Sequence, residues 1–204
     1  MKTNPRRFRA AFTLIELMAV ITIIVILAGL VVGGMGFVNE RQAKEKAKVQ
    51  IALLTKALEE YKLDIGDYPL TADTSTGTGK SAELYVALFY EGYDYAKKGS
   101  PSPWTKKVGG VDVPKATKIY LPELDPVNSK QGWTTTSGTT PPASTTIVDP
   151  WGKEYAYRTA VRPGGASNSN TQNPDFDLWS YGKDGKTRTA QLTHQDNKDD
   201  ITNF

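Results

Sequence analysis

From Leu17 to Val38 the chain runs for 22 residues without a charge, rich in Ile, Val and Leu. At about 1.5 Å per helical residue this run is roughly 33 Å long, enough to cross a hydrocarbon core of about 30 Å. Gly29, Gly33, Gly34 and Gly36 fall in its second half. They mark where a helix bends or melts, or where small residues let helices pack closely. From Asn39 the chain turns polar but keeps a helical beat through Ala43, Ala47, Ile51, Leu54, Leu58, Tyr61 and Ile65. That stripe predicts an amphipathic helix docked on a sheet, with Lys44, Lys48, Lys56, Glu59 and Lys62 on its other face. Gly66 and Pro69 end it.

Beyond residue 66 the pattern breaks into short pieces. Thr71 to Lys80 is rich in Thr and Gly and reads as a loop. Ser81 to Lys97 has a helical section around Leu84, Leu88 and Tyr95. Ser100 to Lys118 is irregular or a short hairpin around Gly109-Gly110, and Ile119 to Leu121 is extended before Pro122. Gln131 to Thr146 is dominated by Thr, Ser, Gly and Pro and reads as a surface loop. Strand signals return in Glu154 to Arg158 and Phe176 to Ser180, which alternate and predict a long hairpin across the Gly/Asn/Ser-rich segment 163–174. The fold class is therefore α+β: a long N-terminal helix packed on a small antiparallel sheet with long loops.

Charge sharpens the picture at the N-terminus. The chain of 204 residues carries a net +3, yet Lys2, Arg6, Arg7 and Arg9 all lie in its first eleven residues. The remaining 21 basic residues face 22 acidic ones, so no nucleic-acid partner is expected. A secretory signal has a shorter apolar stretch followed by a small-residue cleavage site. The positive-inside rule instead reads a signal anchor with the C-terminal part outside. The absence of cysteine excludes a disulfide framework, a thiolate metal site and a Cys nucleophile. No nucleophile-elbow or phosphate-loop motif supports an enzyme. A membrane-anchored binding module with a pocket among residues 80–160 stays open at this point.

Ala11-Phe12-Thr13-Leu14-Ile15-Glu16-Leu17 closely resembles the processing site of type IV pilins and type II secretion pseudopilins. The resemblance implies cleavage between Ala11 and Phe12, N-methylation of Phe12 and a functional Glu16 at the fifth mature position. Ala11 stands where the family nearly always has Gly. A carboxylate beside the apolar run is costly inside a bilayer; the family's use for it is pairing with the N-terminal ammonium of a neighbouring subunit. Ala57 to Pro69, Asp149-Pro150-Trp151-Gly152, and Phe176-Asp177 leading to Ser180-Tyr181-Gly182-Lys183-Asp184-Gly185 are similar to the major pseudopilin.

That resemblance implies four parts: a leader (1–11), a transmembrane and filament-core helix (12–38), an amphipathic half (39–66) and a periplasmic domain (67–204). It also implies an inner-membrane, single-pass precursor that assembles into a periplasmic helical homopolymer serving type II protein secretion. The partners would be other copies of itself, a prepilin peptidase, minor pseudopilins and an inner-membrane assembly platform. The rival within the same family is a pilin for adhesion, motility or DNA uptake.

Asp184, Asp196, Asp199 and Asp200 cluster in the last 21 residues. Carboxylates with backbone carbonyls suit a hard cation such as calcium, although the spacing is not that of an EF-hand and a solvated acidic tail has the same composition. Resemblance to the major pseudopilins implies one structural calcium. Its ligands would be Asp184, Asp199, Asp200 and the carbonyl of Tyr181, with Asp196 as the alternative to one of the pair before Ile201-Thr202-Asn203-Phe204.

Overall fold

The computed structural model describes residues 13–71, 80–99, 103–128, 131–135, 140–189, 191 and 193–204. Helix α1 spans Leu14–Ile65, 52 residues, and ends at Gly66, whose φ of 101° only glycine adopts readily. The chain divides into two compact units, Met1–Gln42 and Ala43–Phe204. In the first, α1 stays helical through Gly29, Gly33 and Gly36 rather than melting there. Its apolar side chains point outward all round, from Leu14 and Ile15 to Phe37 and Val38. Thr22 returns its hydroxyl to the Met18 carbonyl at 2.8 Å, so this polar group is satisfied inside the helix, as an apolar solvent demands.

In the second unit the predicted stripe becomes the core. Ala47, Ile51, Leu54, Ala57, Leu58 and Tyr61 are all buried. Full burial of Leu54 or Leu58 contributes about 1.5–3 kcal/mol of transfer free energy each. One buried position breaks the apolar rule: Gln50 accepts a 2.7 Å hydrogen bond from the buried Tyr155 hydroxyl. Against the stripe pack Leu84, Tyr85, Leu88 and Phe89, then Tyr155 just before the sheet and Tyr157, Phe176 and Leu178 within it.

The predicted second helix is real but interrupted. Helix α2 (Ser81–Tyr85) passes through a π-helical turn, Val86–Tyr90, into α3 (Glu91–Lys98). The Leu88 carbonyl accepts the N–H groups of both Tyr120 and Leu121, at 2.9 and 3.3 Å. The widened turn thus ties the extended segment to the helix. Gly92 lies directly against the Lys118 backbone, where a Cβ would overlap it.

Strands β1 (Thr105–Val108) and β2 (Val111–Pro114) form the expected hairpin. Gly109 and Gly110, with φ of 55° and 86°, supply the positive φ values that a two-residue turn of this kind requires. The buried Glu91 pins the hairpin to α3: it accepts the Ala116 N–H at 2.7 Å and meets the Lys106 ammonium at 2.6 Å.

Strands β3 (Ala156–Thr159), β4 (Phe176–Ser180) and β5 (Ile201–Thr202) make an antiparallel sheet in the order β3-β4-β5. The alternation of β3 and β4 predicts one open face. Instead every residue of both strands is buried. Tyr157, Phe176 and Leu178 belong to the core beneath α1. On the other face Arg158 stands opposite Asp177, with its Nε and a terminal nitrogen 2.8 and 2.7 Å from the carboxylate. Gln172 and Asn173 also donate their N–H groups to Asp177, and the guanidinium lies 5.1 Å from the Trp179 ring. The loop before β4 therefore closes over charges that the pattern alone would leave in water.

The segment 131–146 also departs from expectation where it is described. Trp133 and Thr145 are buried, and Thr134 bridges to Ile147, so this loop is partly sewn into the core. The loop positions 72–79 lie outside the described residues.

Candidate functional site

Two places carry the residues singled out by sequence. The first is the start of α1. Ala11 and Phe12 lie outside the described residues, but Thr13 and Glu16 do not. The Thr13 N–H and hydroxyl both donate to Glu16 Oε2 at 2.8 Å, and the Glu16 N–H returns a 3.3 Å bond to the Thr13 hydroxyl. This is a capping box, in which an N-cap hydroxyl and a glutamate three residues on satisfy each other's otherwise orphaned N–H groups. The sequence carries the signal for it as Thr-x-x-Glu ahead of an apolar run.

The second place is the loop between β4 and β5. It leaves β4 at Ser180, whose hydroxyl donates to Asp149 Oδ2 at 2.5 Å. The Gly182 N–H donates back to the Ser180 oxygen at 3.1 Å. The other oxygen of Asp149 accepts the N–H groups of Trp151 and Lys153 at 3.0 and 2.8 Å. One buried carboxylate therefore fastens the Asp149-Pro150-Trp151-Gly152 turn to the entrance of the acidic loop. Gly182, at φ 61°, presses on the Asp199 backbone so closely that a side chain has no room.

Within the loop the acidic residues are tied by backbone and hydroxyl hydrogen bonds. The Asp184 N–H donates to Asp199 Oδ2 at 2.9 Å, and Asp184 accepts the Lys186 N–H at 2.8 Å. Asp200 Oδ2 accepts the Thr187 hydroxyl at 2.7 Å, whereas its Oδ1 is buried with no hydrogen-bond partner. Burial pushes the Asp200 carboxyl up to about 6. The negative charges of Asp199, Asp184 and Asp196 add to this against the Thr187 bond.

Asp196 is turned elsewhere: it pairs with Arg188 Nε at 3.0 Å, while its N–H donates to His194 Nδ1 at 3.2 Å. Tyr181 sits between Ser180 and Gly182, its ring 6.3 Å from Trp179. Among the described residues no three carboxylates converge into a finished ion cage. Each side chain is held apart by its own partner, as like charges require.

The end of the chain is held by Asn203, whose role the sequence reading did not assign. Its side-chain oxygen accepts the Leu178 N–H at 2.8 Å, its amide nitrogen donates to the Phe176 carbonyl at 3.2 Å, and its backbone N–H donates to the Leu178 carbonyl at 3.1 Å. Asn203 thus continues the two-residue β5 along the edge of β4 and positions Asp199 and Asp200 just before it.

Comparison with known proteins agrees with this layout. The family profile described as the prokaryotic N-terminal methylation motif matches residues 6–32, and the one described as type II secretion system (T2SS), protein G matches residues 37–109. The type II secretion system core protein G of Pseudomonas aeruginosa is 32% identical over 199 residues, covering 98% of this chain and 97% of that one. The protein of the same name from Vibrio cholerae is 42% identical over 180 residues, 88% of this chain and 84% of its own. α1, with its charge-free run from Leu17 to Val38, is the membrane anchor of a periplasmic domain. The chain belongs to the type II secretion system protein G family, and is a non-catalytic pseudopilin, a structural subunit of the secretion pseudopilus.

Proposed function

We propose that a prepilin peptidase removes residues 1–11 and that the new N-terminal Phe12 is methylated. Residues 12–38 then leave the bilayer and stack as the core of a helical homopolymer, 39–66 carry the sheet, and 67–204 form the outer surface. Minor pseudopilins and an inner-membrane platform are the assembly partners, and the growing filament acts as a piston or plug for exported folded proteins.

The observation that carries this reading is Glu16. It is a lone carboxylate just before the charge-free run Leu17 to Val38, held by Thr13 alone among the described residues. A neighbour's terminal ammonium can take it over as both leave lipid. Burial offsets much of the Coulombic gain, so the pair sets register more than stability. Mass spectrometry of the mature protein tests the first step: an N-terminus other than methylated Phe12 overturns it. Glu16→Ala is expected to leave cleavage intact and abolish filaments.

We also propose that the acidic loop holds one structural calcium through Asp184, Asp199, Asp200 and the Tyr181 carbonyl. The buried, unpartnered Asp200 Oδ1, the negative charge that Asp199 and Asp184 exert on it, and the Asp184 N–H bond to Asp199 support this. A bound cation supplies the positive charge that lets carboxylates approach one another. Asp196, engaged by Arg188, stands outside the set. Thermal melting of the full chain in detergent, with calcium and then with excess chelator, is the test. We expect a calcium-dependent rise that is lost in Asp184→Ala; equal melting in both conditions refutes the site.

A further inference from the structure

Trp104 is the most exposed aromatic residue of the Ala43–Phe204 unit among the described residues, at 60%. It is firmly placed. Its carbonyl accepts the Lys115 N–H at 2.9 Å, next to a hairpin that Glu91 clamps onto α3. Its ring lies 6.4 Å from Tyr95. Further along α3, Tyr93 stacks on Phe89 with centroids 5.8 Å apart, and the Lys97 ammonium lies 4.8 Å from the Tyr93 ring. A rigid support that presents a large apolar ring to solvent is the mark of an interaction surface rather than of core packing.

Charge says what covers it. Residues 91–118 hold six lysines against Glu91, Asp94 and Asp112, a net +3; Lys98, Lys106 and Lys107 pair with those three acids and Lys118 with Glu60 and Asp64, so the surplus positive charge of the face rests on Lys97 and Lys115. From Phe12 onward the chain sums to −1, so everything outside this segment carries −4. A chain divided in this way attracts another copy of itself, provided that different faces meet. Two copies of the basic face would repel, which rules out a symmetric two-fold contact through it. Contact between unlike faces is heterologous, the kind that propagates into open helical filaments.

We propose that the basic aromatic face around Trp104, Tyr95, Lys97 and Lys115 docks on an acid-bearing surface of a second copy, as a lateral contact of the filament. This rests on the reading of the chain as a filament subunit. The face gives the hairpin and α3 a role in assembly. The aromatic ring supplies the anchor, and the lysines choose the orientation.

The test is in-cell photo-crosslinking of the full chain, with benzoyl-phenylalanine placed either at position 104 or, as an independent reporter of the filament core, at position 27. The expected result is a homodimer from both positions. The product from position 104 maps to an acid-bearing peptide outside 91–118, and its yield falls on the order of fivefold in Lys97→Glu. Trp104→Ala should melt like the parent chain while forming fewer or shorter filaments. A homodimer from position 27 with none from 104 overturns the docking face and leaves the filament reading standing. A product between position 104 and a different protein overturns it in favour of that partner. No homodimer from either position removes the filament reading and this contact with it.

Discussion

The hydroxyl of Ser180 donates to the carboxylate of Asp149 across 31 residues of chain, with both side chains buried. Two short segments that look like separate motifs in sequence are therefore one device. The turn at Asp149 holds the exit of β4, and the exit of β4 aims the acidic loop. Ser180→Ala leaves one oxygen of a buried carboxylate without its donor, which costs about 1.5–3 kcal/mol. At about 2–4 °C per kcal/mol for a domain of this size, the melting temperature should fall measurably. The calcium response should weaken as well. An unchanged melt would show that Asp149 is served by other donors.

Arg158 and Asp177 form a second buried pair, with side chains 1% and 0% exposed. Removing one partner strands a charge and costs about 3–5 kcal/mol, whereas replacing both with apolar residues of similar size is often near neutral. Arg158→Met should thus be far more damaging than Arg158→Met combined with Asp177→Leu. A double-mutant cycle by denaturant unfolding measures this; equal losses would mean that the pair contributes more than mutual neutralisation. The Gln172 and Asn173 bonds to Asp177 predict that the double variant also loosens the loop before β4.

Gly92 is an isolated test of packing. Its Cβ position overlaps the Lys118 backbone, a neighbour that moves only with the chain. Gly92→Ala should therefore destabilise by about 1–3 kcal/mol as overpacking, although α3 gains helix propensity. Thermal melting decides, and a stabilised variant would mean that α3 and the 118–120 segment separate freely.

At alkaline pH the buried tyrosines control stability. Burial pushes Tyr85 up to about 12. It also raises Tyr61, assisted by Glu91, Tyr120, assisted by Asp64, and Tyr155, assisted by Asp149; Tyr157, fully enclosed, is raised as well. These phenols are favoured as neutral groups in the folded state. Their contribution is complete below the unfolded tyrosine value of about 10 and is lost as pH rises through the folded values. The tyrosinate absorbance of these five phenols should therefore appear together with unfolding, in one cooperative step. Ionisation of all ten tyrosines with the fold intact would contradict this burial.

At the N-terminus, Thr13→Ala should cost about 0.5–2 kcal/mol of helix-end stability, while Thr13→Ser should be close to neutral. Amide exchange over residues 14–17 in detergent reads this directly. Exchange that is equally slow in Thr13→Ala would show that the capping box does not hold the first turn.

Much of this was legible without coordinates. The uncharged run, the stripe from Ala47 to Tyr61, the stop at Gly66 and the turn at Gly109-Gly110 follow from local rules: periodicity, charge and glycine's access to positive φ. The α+β class and the processing motif at Phe12 to Glu16 were equally local. Tertiary structure decided what depends on residues far apart. It closed a loop over Arg158 and Asp177, so that a strand with an alternating pattern became buried on both faces. It drew Trp133 and Thr145 inward from a segment whose composition reads as surface. It joined Asp149 to Ser180, used Asn203 to extend a strand too short to show a pattern, and paired Asp196 with Arg188. Sequence alone is blind to these because the desolvation of a charge, and its repair by a partner, depend on which distant segments come to lie against it.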